Sequence, residues 1–240
     1  MTITHHITLQ IHQSNSREEA QLIKTNAVAF LHSLDAAFKV HFSVSKLSEV
    51  KQAYQNQNLI QQNPHVISAL AAGQDAVLQA MDDMSTMYDY INLHFPTMED
   101  GNNFGVTVQM CAVKQLQDTI EGLSKSMDEL VKYFAARADA MDKLQLATET
   151  ASETQKEENE RGKETKTTVT KETKKSSGHP EFHRIEAVYA IDTQYYAVAK
   201  KAFRTVKSAY VANVDFLLKN QDKLEAPKGN DGGSNFSAMY

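Results

Sequence analysis

Val113, Leu116, Ile120, Leu123, Met127, Leu130 and Phe134 recur in strict steps of three and four, and Met141 and Leu144 carry the pattern on with Arg137 as its one interruption. That is the period of one helix face, where residues three and four apart stack in a stripe. It is not the two-residue alternation of a strand. A stripe this regular and long suits long helices packed at shallow crossing angles.

The rest of the chain repeats the theme. Ser16 and Glu19 have the spacing of a capping box, so a first helix is expected to start there and to carry Ile23, Ala27, Phe30, Leu34, Ala37, His41 and Val44. Residues 1–15, with Ile7, Leu9 and Ile11 in brief alternation, read as an N-terminal arm. "YQNQNLIQQN" is polar and aperiodic and reads as a connection. Asn63-Pro64 reopens helix, because Asn caps and Pro at the first helical position gives up no needed N–H. The second stripe, Ile67, Leu70, Val77, Met81, Met84, Tyr88, Ile91 and Phe95, is stopped by Pro96.

Past the third helix, residues 147–178 lose the stripe and become rich in Thr, Glu and Lys. A segment with so few large apolar residues cannot offset its ordering entropy, so a disordered charged loop is expected. His179-Pro180 opens a fourth helix with Ile185, Tyr189, Asp192, Tyr196, Ala199, Phe203, Val206, Tyr210, Asn213 and Leu217 on one face. Pro227 and the glycines after it close that helix and leave a tail, 227–240.

The expected fold is therefore all-α: an up-down four-helix bundle with helices near 16–50, 64–95, 104–146 and 180–225, forming one unit over 16–240. Only nine glycines and four prolines in 240 residues agree with few turns. In such a bundle alternate connections share an end. The turn at 96–105 and the C-terminal tail then lie at one end, the 51–63 connection and the charged loop at the other.

Composition narrows function mainly by exclusion. A net charge of −5, with no basic face interleaved with aromatics, points to neither nucleic acid nor an anionic membrane. No segment reaches the roughly 20 apolar residues that cross a bilayer, and the first residues do not read as a signal peptide. One cysteine, Cys111, cannot form an intrachain disulfide, which fits a reducing cytoplasm or nucleus.

Chemistry-bearing groups are few. His179 and His183 have a metal-ligand spacing but no evident third ligand, so surface is the plainer reading. Asp82, Asp83, Asp89 and Asp100 scatter around a helix as a solvated face would. Cys111 has no partner histidine by spacing and reads as a small packed thiol. Asp192 and Asn213 read as polar seam residues that fix register or oligomeric state, and the methionines of "AMDDMSTMYDY" read as core. No phosphate loop, nucleophile elbow or zinc signature is present, so catalysis, a cofactor and a metal are not expected.

One short stretch resists a purely structural account. "EDGNNFGVTVQ", residues 99–109, sets two glycines and two asparagines between long helices. Gly101 and Gly105 open backbone angles closed to other residues, and Asn102 or Asn103 can cap the next helix. Neither point explains why a free tail ending in Met239-Tyr240 should finish beside it.

That stretch, with "KYFAARADAMDKL" and "LLKNQDKLEAPKG", resembles the eleven-S regulator (REG) family of proteasome activators. The likeness spans roughly the C-terminal two-thirds of the chain outside the charged loop. It implies four-helix subunits in a ring, usually a heptamer, that docks on the α ring of the 20S proteasome and opens its gate without ATP. Carried onto this chain, the activation loop is Met98, Glu99, Asp100, Gly101, Asn102, Asn103, Phe104 and Gly105. Asn102 is its expected central contact, with Asp100 and Asn103 beside it. The tail that enters pockets between α subunits is Asn235, Phe236, Ser237, Ala238, Met239 and Tyr240.

The resemblance has departures. Certain relatives carry a charged insert between the first two helices, whereas here it falls between the third and fourth. The tail also lacks a hydrophobic-Tyr-any-residue ending, so the gate-opening power of that motif does not carry over. A second reading of the same sequence is a non-catalytic helical scaffold or adaptor.

Overall fold

The computed structural model describes the backbone of residues 2–59, 61, 63–96, 103–153 and 180–228, with side chains described over 13–59, 61, 63–96, 103–144 and 182–228. Within it run α1 (Thr2–His41), α2 (Leu47–Gln55), α3 (Pro64–Leu93), α4 (Phe104–Val131), α5 (Tyr133–Glu153), α6 (Pro180–Lys219) and α7 (Gln221–Glu225). No strand occurs among the described residues. The fold is all-α.

The chain divides into two compact units. The first comprises Met1–Ser43, Ala69–Leu130 and Val198–Tyr240. Its helix directions follow from which residues meet. Phe30 stacks on Tyr210 at 4.4 Å and Phe38 meets Phe203 at 6.3 Å, so α1 runs against α6. Asn213 donates to Thr119 at 3.0 Å and Lys201 pairs with Glu129 at 3.1 Å, so α4 also runs against α6. Gln13 reaches the Leu93 carbonyl at 2.8 Å, setting α1 against α3. That is an up-down-up-down bundle.

Its core is the stripe face of each helix: Ala27, Leu34, Val77, Met84, Met87, Leu116, Leu123, Leu130, Phe203, Val206 and Tyr210 are all buried. Each large one contributes about 1.5–3 kcal/mol on burial.

The second unit comprises Val44–Ser68 and Val131–Ala197. At its centre Asp192 accepts from Tyr133 Oη at 2.8 Å and from Arg137 Nε at 3.1 Å. The far end of the same guanidinium donates to the carbonyls of Leu59 and Gln61, both at 2.9 Å. Arg137, the interruption in one stripe, and Asp192, the polar member of another, are thus each other's partner. Tyr54 Oη meets His65 Nδ1 at 3.0 Å, and Tyr196 Oη donates to Val44 O at 2.9 Å. Lys51 pairs with Glu186.

Several boundaries differ from the sequence expectation. Helix begins at Thr2, so residues 1–15 are not an arm apart from the first helix. Ser16 is an interior helical residue whose Oγ donates to Gln13 O at 3.0 Å, and no capping box starts there. The first helix does not run to residue 50. It ends at His41, five residues with no helix follow, and α2 starts at Leu47. "SVS" only weakens helix there, with a β-branched residue and two serines, and the Tyr196 hydroxyl takes the Val44 carbonyl, which fixes the break.

The third helix divides at Lys132, and the division resets the buried face: Tyr133 is 1% exposed and Phe134, a predicted stripe member, is 54% exposed. A strict seven-residue repeat drifts by about 20° per heptad on a straight helix, so its late members leave the core side. Helix continues to Glu153, past the predicted 146. The remainder of the 147–178 loop lies outside the described residues.

Asn63 does cap α3, accepting from the N–H groups of His65 at 3.2 Å and Val66 at 3.3 Å. The fourth helix pauses at Asn220, whose Nδ2 takes the Phe216 carbonyl at 2.8 Å, and α7 adds one further turn.

Candidate functional site

The site is the corner of the first unit where α3 ends, α4 begins and α7 hands over to the tail. α3 cannot pass Pro96, so its last carbonyls need other donors. His94 N–H takes Ile91 O at 3.1 Å, and the His94 ring meets Tyr90 O at 2.7 Å. A carbonyl only accepts, so the His94 Nδ1 donates in this contact. Leu93 O is taken by Gln13 of α1 and His94 O by Gln109 of α4 at 3.1 Å. The strand of chain entering the turn is therefore held by two other helices.

On the exit side, Asn103 O receives the Thr107 N–H at 3.0 Å and the Thr107 hydroxyl at 3.2 Å, which starts α4. Phe104 is 65% exposed, with Lys223 Nζ 5.9 Å from its ring centre. Gly105 is buried for want of room. A Cβ there would overlap the Pro227 backbone, 2.6 Å from its carbonyl carbon and nearer still to its oxygen and Cα. A side chain at 105 and the present path of residue 227 exclude each other.

The tail's root closes the corner. Leu224 is buried and its carbonyl accepts from Gln109 Nε2 at 3.0 Å. Glu225 pairs with Arg17 of α1 at 3.1 Å. Burial lowers the pKa of Lys24 beside them, with Glu225 opposing and Arg17 reinforcing the shift. The space left among Ala20, Met87, Tyr90, Leu217 and Leu224 is about 10 Å³, no more than one water molecule could fill. The corner is filled.

Gln109 is the knot. It is fully buried, and its Nε2 serves His94 O and Leu224 O together, groups 15 and 115 residues away in sequence. Its Oε1 is buried with no hydrogen-bond partner among the described residues. The amide cannot be turned over, since two carbonyls face it and only the nitrogen can donate. An orphaned buried acceptor costs roughly 1–3 kcal/mol. Gln109 ended the quoted motif and received no role from it. The legible signal was a polar residue in phase with Ala112 and Leu116, on the buried face of α4.

Of the predicted loop residues, Asn103, Phe104 and Gly105 are described at this corner. Met98, Glu99, Asp100, Gly101 and Asn102 lie outside the described residues, as do Asn235 to Tyr240. What the structure brings together is the two roots, on either side of Gln109.

Other candidates fall elsewhere. Asp83 accepts from Tyr210 Oη and from Gln79 at 2.8 Å, while Asp82 and Asp89 are exposed on α3. Cys111 is exposed on the outer face of α4, not packed, because the buried positions there are 109, 112 and 116. His183 meets the ring of Phe182, and His179 lies outside the described residues. Among the described residues no group of three or more His, Cys, Asp or Glu is placed to hold a metal, and no helix is long and apolar enough to cross a membrane. Asn213 spans α6 to α4 through Thr119, and Met84 and Met87 are core.

Residues 59–155 match the family model of proteasome activator PA28, C-terminal. The human proteasome activator complex subunit 3 is 21% identical over 202 residues, 81% of this chain and 66% of that protein, just under two thirds of its length. Proteasome activator 28 of Dictyostelium discoideum is 31% identical over 88 residues, 37% of this chain and 39% of that one.

Among solved structures, the 11S subunit of the Plasmodium falciparum proteasome superposes with a TM-score of 0.62 at 17% identity, covering 90% of this chain and 91% of that one. The activator of a proteasome-11S activator complex superposes at 0.68 and 15% identity, covering 95% and 98%. Over nearly its whole length the chain shares the fold of these solved 11S activators, and residues 59–155 carry its likeness to the PA28 C-terminal family.

Proposed function

We propose that this chain is the subunit of a homo-oligomeric ring, of seven copies by family resemblance, that docks on the α ring of a 20S proteasome and opens its gate without ATP. The tails Asn235–Tyr240 anchor the ring, and the loops Met98–Gly105 act on the gate. The chain itself is not an enzyme and works in the cytoplasm, the nucleus or both. Supporting this are solved relatives described as a proteasome-11S activator complex and as a yeast 20S proteasome in complex with a proteasome activator.

One observation carries the reading. Gln109 holds the last turn before the loop and the short helix before the tail with a single buried amide. The described roots of the proposed anchor and lever, at Leu224 and His94, thus share one amide.

The energetics follow from that geometry. A single tail loses conformational freedom on docking and binds weakly. Several tails on one ring make later dockings intramolecular, which raises avidity by about 10²–10⁴. The loops then favour the open gate by touching it better than the closed one, because only differential contact shifts a conformational equilibrium. Asn102 is the central loop contact, with Asp100 and Asn103 flanking it.

The test is fluorogenic-peptide cleavage by purified 20S proteasome with the unaltered chain, with Asn102→Tyr and with a chain lacking Met239 and Tyr240. The unaltered ring stimulates cleavage; Asn102→Tyr binds but does not stimulate; the trimmed chain loses affinity. A monomer or dimer giving no stimulation would replace this reading with the helical scaffold.

A further inference from the structure

A glutamine is a poor choice for a dry helix–helix contact. Leucine or methionine would fill the position on α4 without orphaning an oxygen, and helical propensity does not favour glutamine over either. What glutamine adds is two donors on one nitrogen, and both are spent on carbonyls at helix ends. His94 O is the first carbonyl beyond α3, two residues before Pro96. Leu224 O belongs to α7, a five-residue helix far too short to hold itself and therefore dependent on contacts from outside. Each acceptor lies on a segment that leads directly to a part the proposed mechanism uses.

From this geometry we infer that Gln109 is a positioning residue that couples tail docking to gate opening. It rests on the reading above and deepens it. With Gln109 in place, the tail's root and the loop's root form one body, so a ring held by its tails presents its loops at a fixed place. Without the amide, α7 stays attached through Leu224 and Glu225 and the tails still dock. The loop's root then keeps Gln13 on the Leu93 carbonyl but loses its direct tie to the tail's root, and can shift against it. Docking and stimulation should come apart. The other buried amide contact to α4, Asn213 to Thr119, ties two helix interiors and touches neither root, so it should not share this behaviour.

The experiment titrates purified 20S proteasome with rings of the unaltered chain, Gln109→Met and Asn213→Ala, reading the half-saturating ring concentration and the maximal rate of peptide cleavage separately. Native mass and unfolding midpoint are recorded for each ring. Gln109→Met is expected to keep its half-saturating concentration within about threefold while maximal stimulation falls about tenfold, the weight of one to two hydrogen bonds on a two-state gate. Asn213→Ala is expected to keep its maximal stimulation even where its midpoint falls as far.

Full maximal stimulation by Gln109→Met overturns the proposal. So does an equal loss of stimulation in Asn213→Ala at matched stability, which would make Gln109 an ordinary core residue. If the unaltered ring does not stimulate, the proteasome reading itself has failed, and that control separates the two failures.

Discussion

Gly105→Ala and Gly122→Ala make the same chemical change in the same helix and should have opposite signs. Alanine is favoured over glycine inside a helix by about 0.8–1 kcal/mol. At Gly122 nothing lies within 4 Å of the added carbon, so most of that gain should appear, about 0.5–1 kcal/mol. At Gly105 the added carbon would sit 2.6 Å from the carbonyl carbon of Pro227, and the neighbour is backbone, which cannot swing aside. Carbon atoms rest about 3.5–4.0 Å apart, so residue 227 or the first turn of α4 must move by roughly 1 Å.

Overpacking of that kind costs about 1–3 kcal/mol and outweighs the propensity gain. The net expectation is a loss near 1 kcal/mol at 105 and a separation of about 2 kcal/mol between the two variants. Urea unfolding at one fixed protomer concentration reads this directly, because the slope is shared and the midpoints differ. If Gly105→Ala gains stability alongside Gly122→Ala, Pro227 does not lie on α4, and the shared corner of turn and tail is lost with it.

Two further outcomes follow from buried polar groups. Arg137→Ala strands Asp192 and frees the Leu59 and Gln61 carbonyls, so it should cost about 3–5 kcal/mol by denaturant unfolding and speed proteolysis within 56–63; a loss under about 1 kcal/mol would mean the pair is not buried. Burial, aided at Tyr133 by Asp192 and at Tyr210 by Asp83, raises the pKa of Tyr54, Tyr133 and Tyr210 above the ordinary 10.0. Above pH 10 the unfolded chain releases phenol protons that the folded chain keeps, so stability is flat below that pH and falls above it, by at most about 1.4 kcal/mol per pH unit for each tyrosine. Tyr210→Phe should flatten that fall in a pH series of unfolding midpoints, and an unchanged slope would place the hydroxyl in water.

The sequence revealed the fold where periodicity is strong and misplaced it where helices are interrupted without proline or glycine. The α6 stripe from Asp192 through Leu217 is buried at every predicted position. The breaks at 42–46, 132 and 220 were not legible, because no residue there forbids helix. Tertiary contacts select them instead, as when Tyr196 claims the Val44 carbonyl. The same limit explains residues 2–15. The brief alternation of Ile7, Leu9 and Ile11 suggested an arm, whereas Gln13 reaches the end of α3 and helps hold that stretch as helix. At the corner, the turn's composition marked the place, but the residue that organises it could not be singled out until its two acceptors were seen.

The polar members of the stripes share a logic that periodicity alone hides. An apolar stripe fixes which face is inward but leaves the height of each connection loosely set, since sliding a helix by one turn costs little in a uniform seam. A buried donor aimed at a specific carbonyl removes that freedom, because any slip leaves both groups unpaired. Arg137 does this for residues 59 and 61, Gln109 for residues 94 and 224, and Asn213 for the register of α6 on α4 through Thr119. Two of the three act on segments between helices or at their ends, where backbone carbonyls are left over. Polar interruptions in a long-helix sequence are therefore the places to look for what pins its turns, and in this chain the turn so pinned is the one that carries the motif.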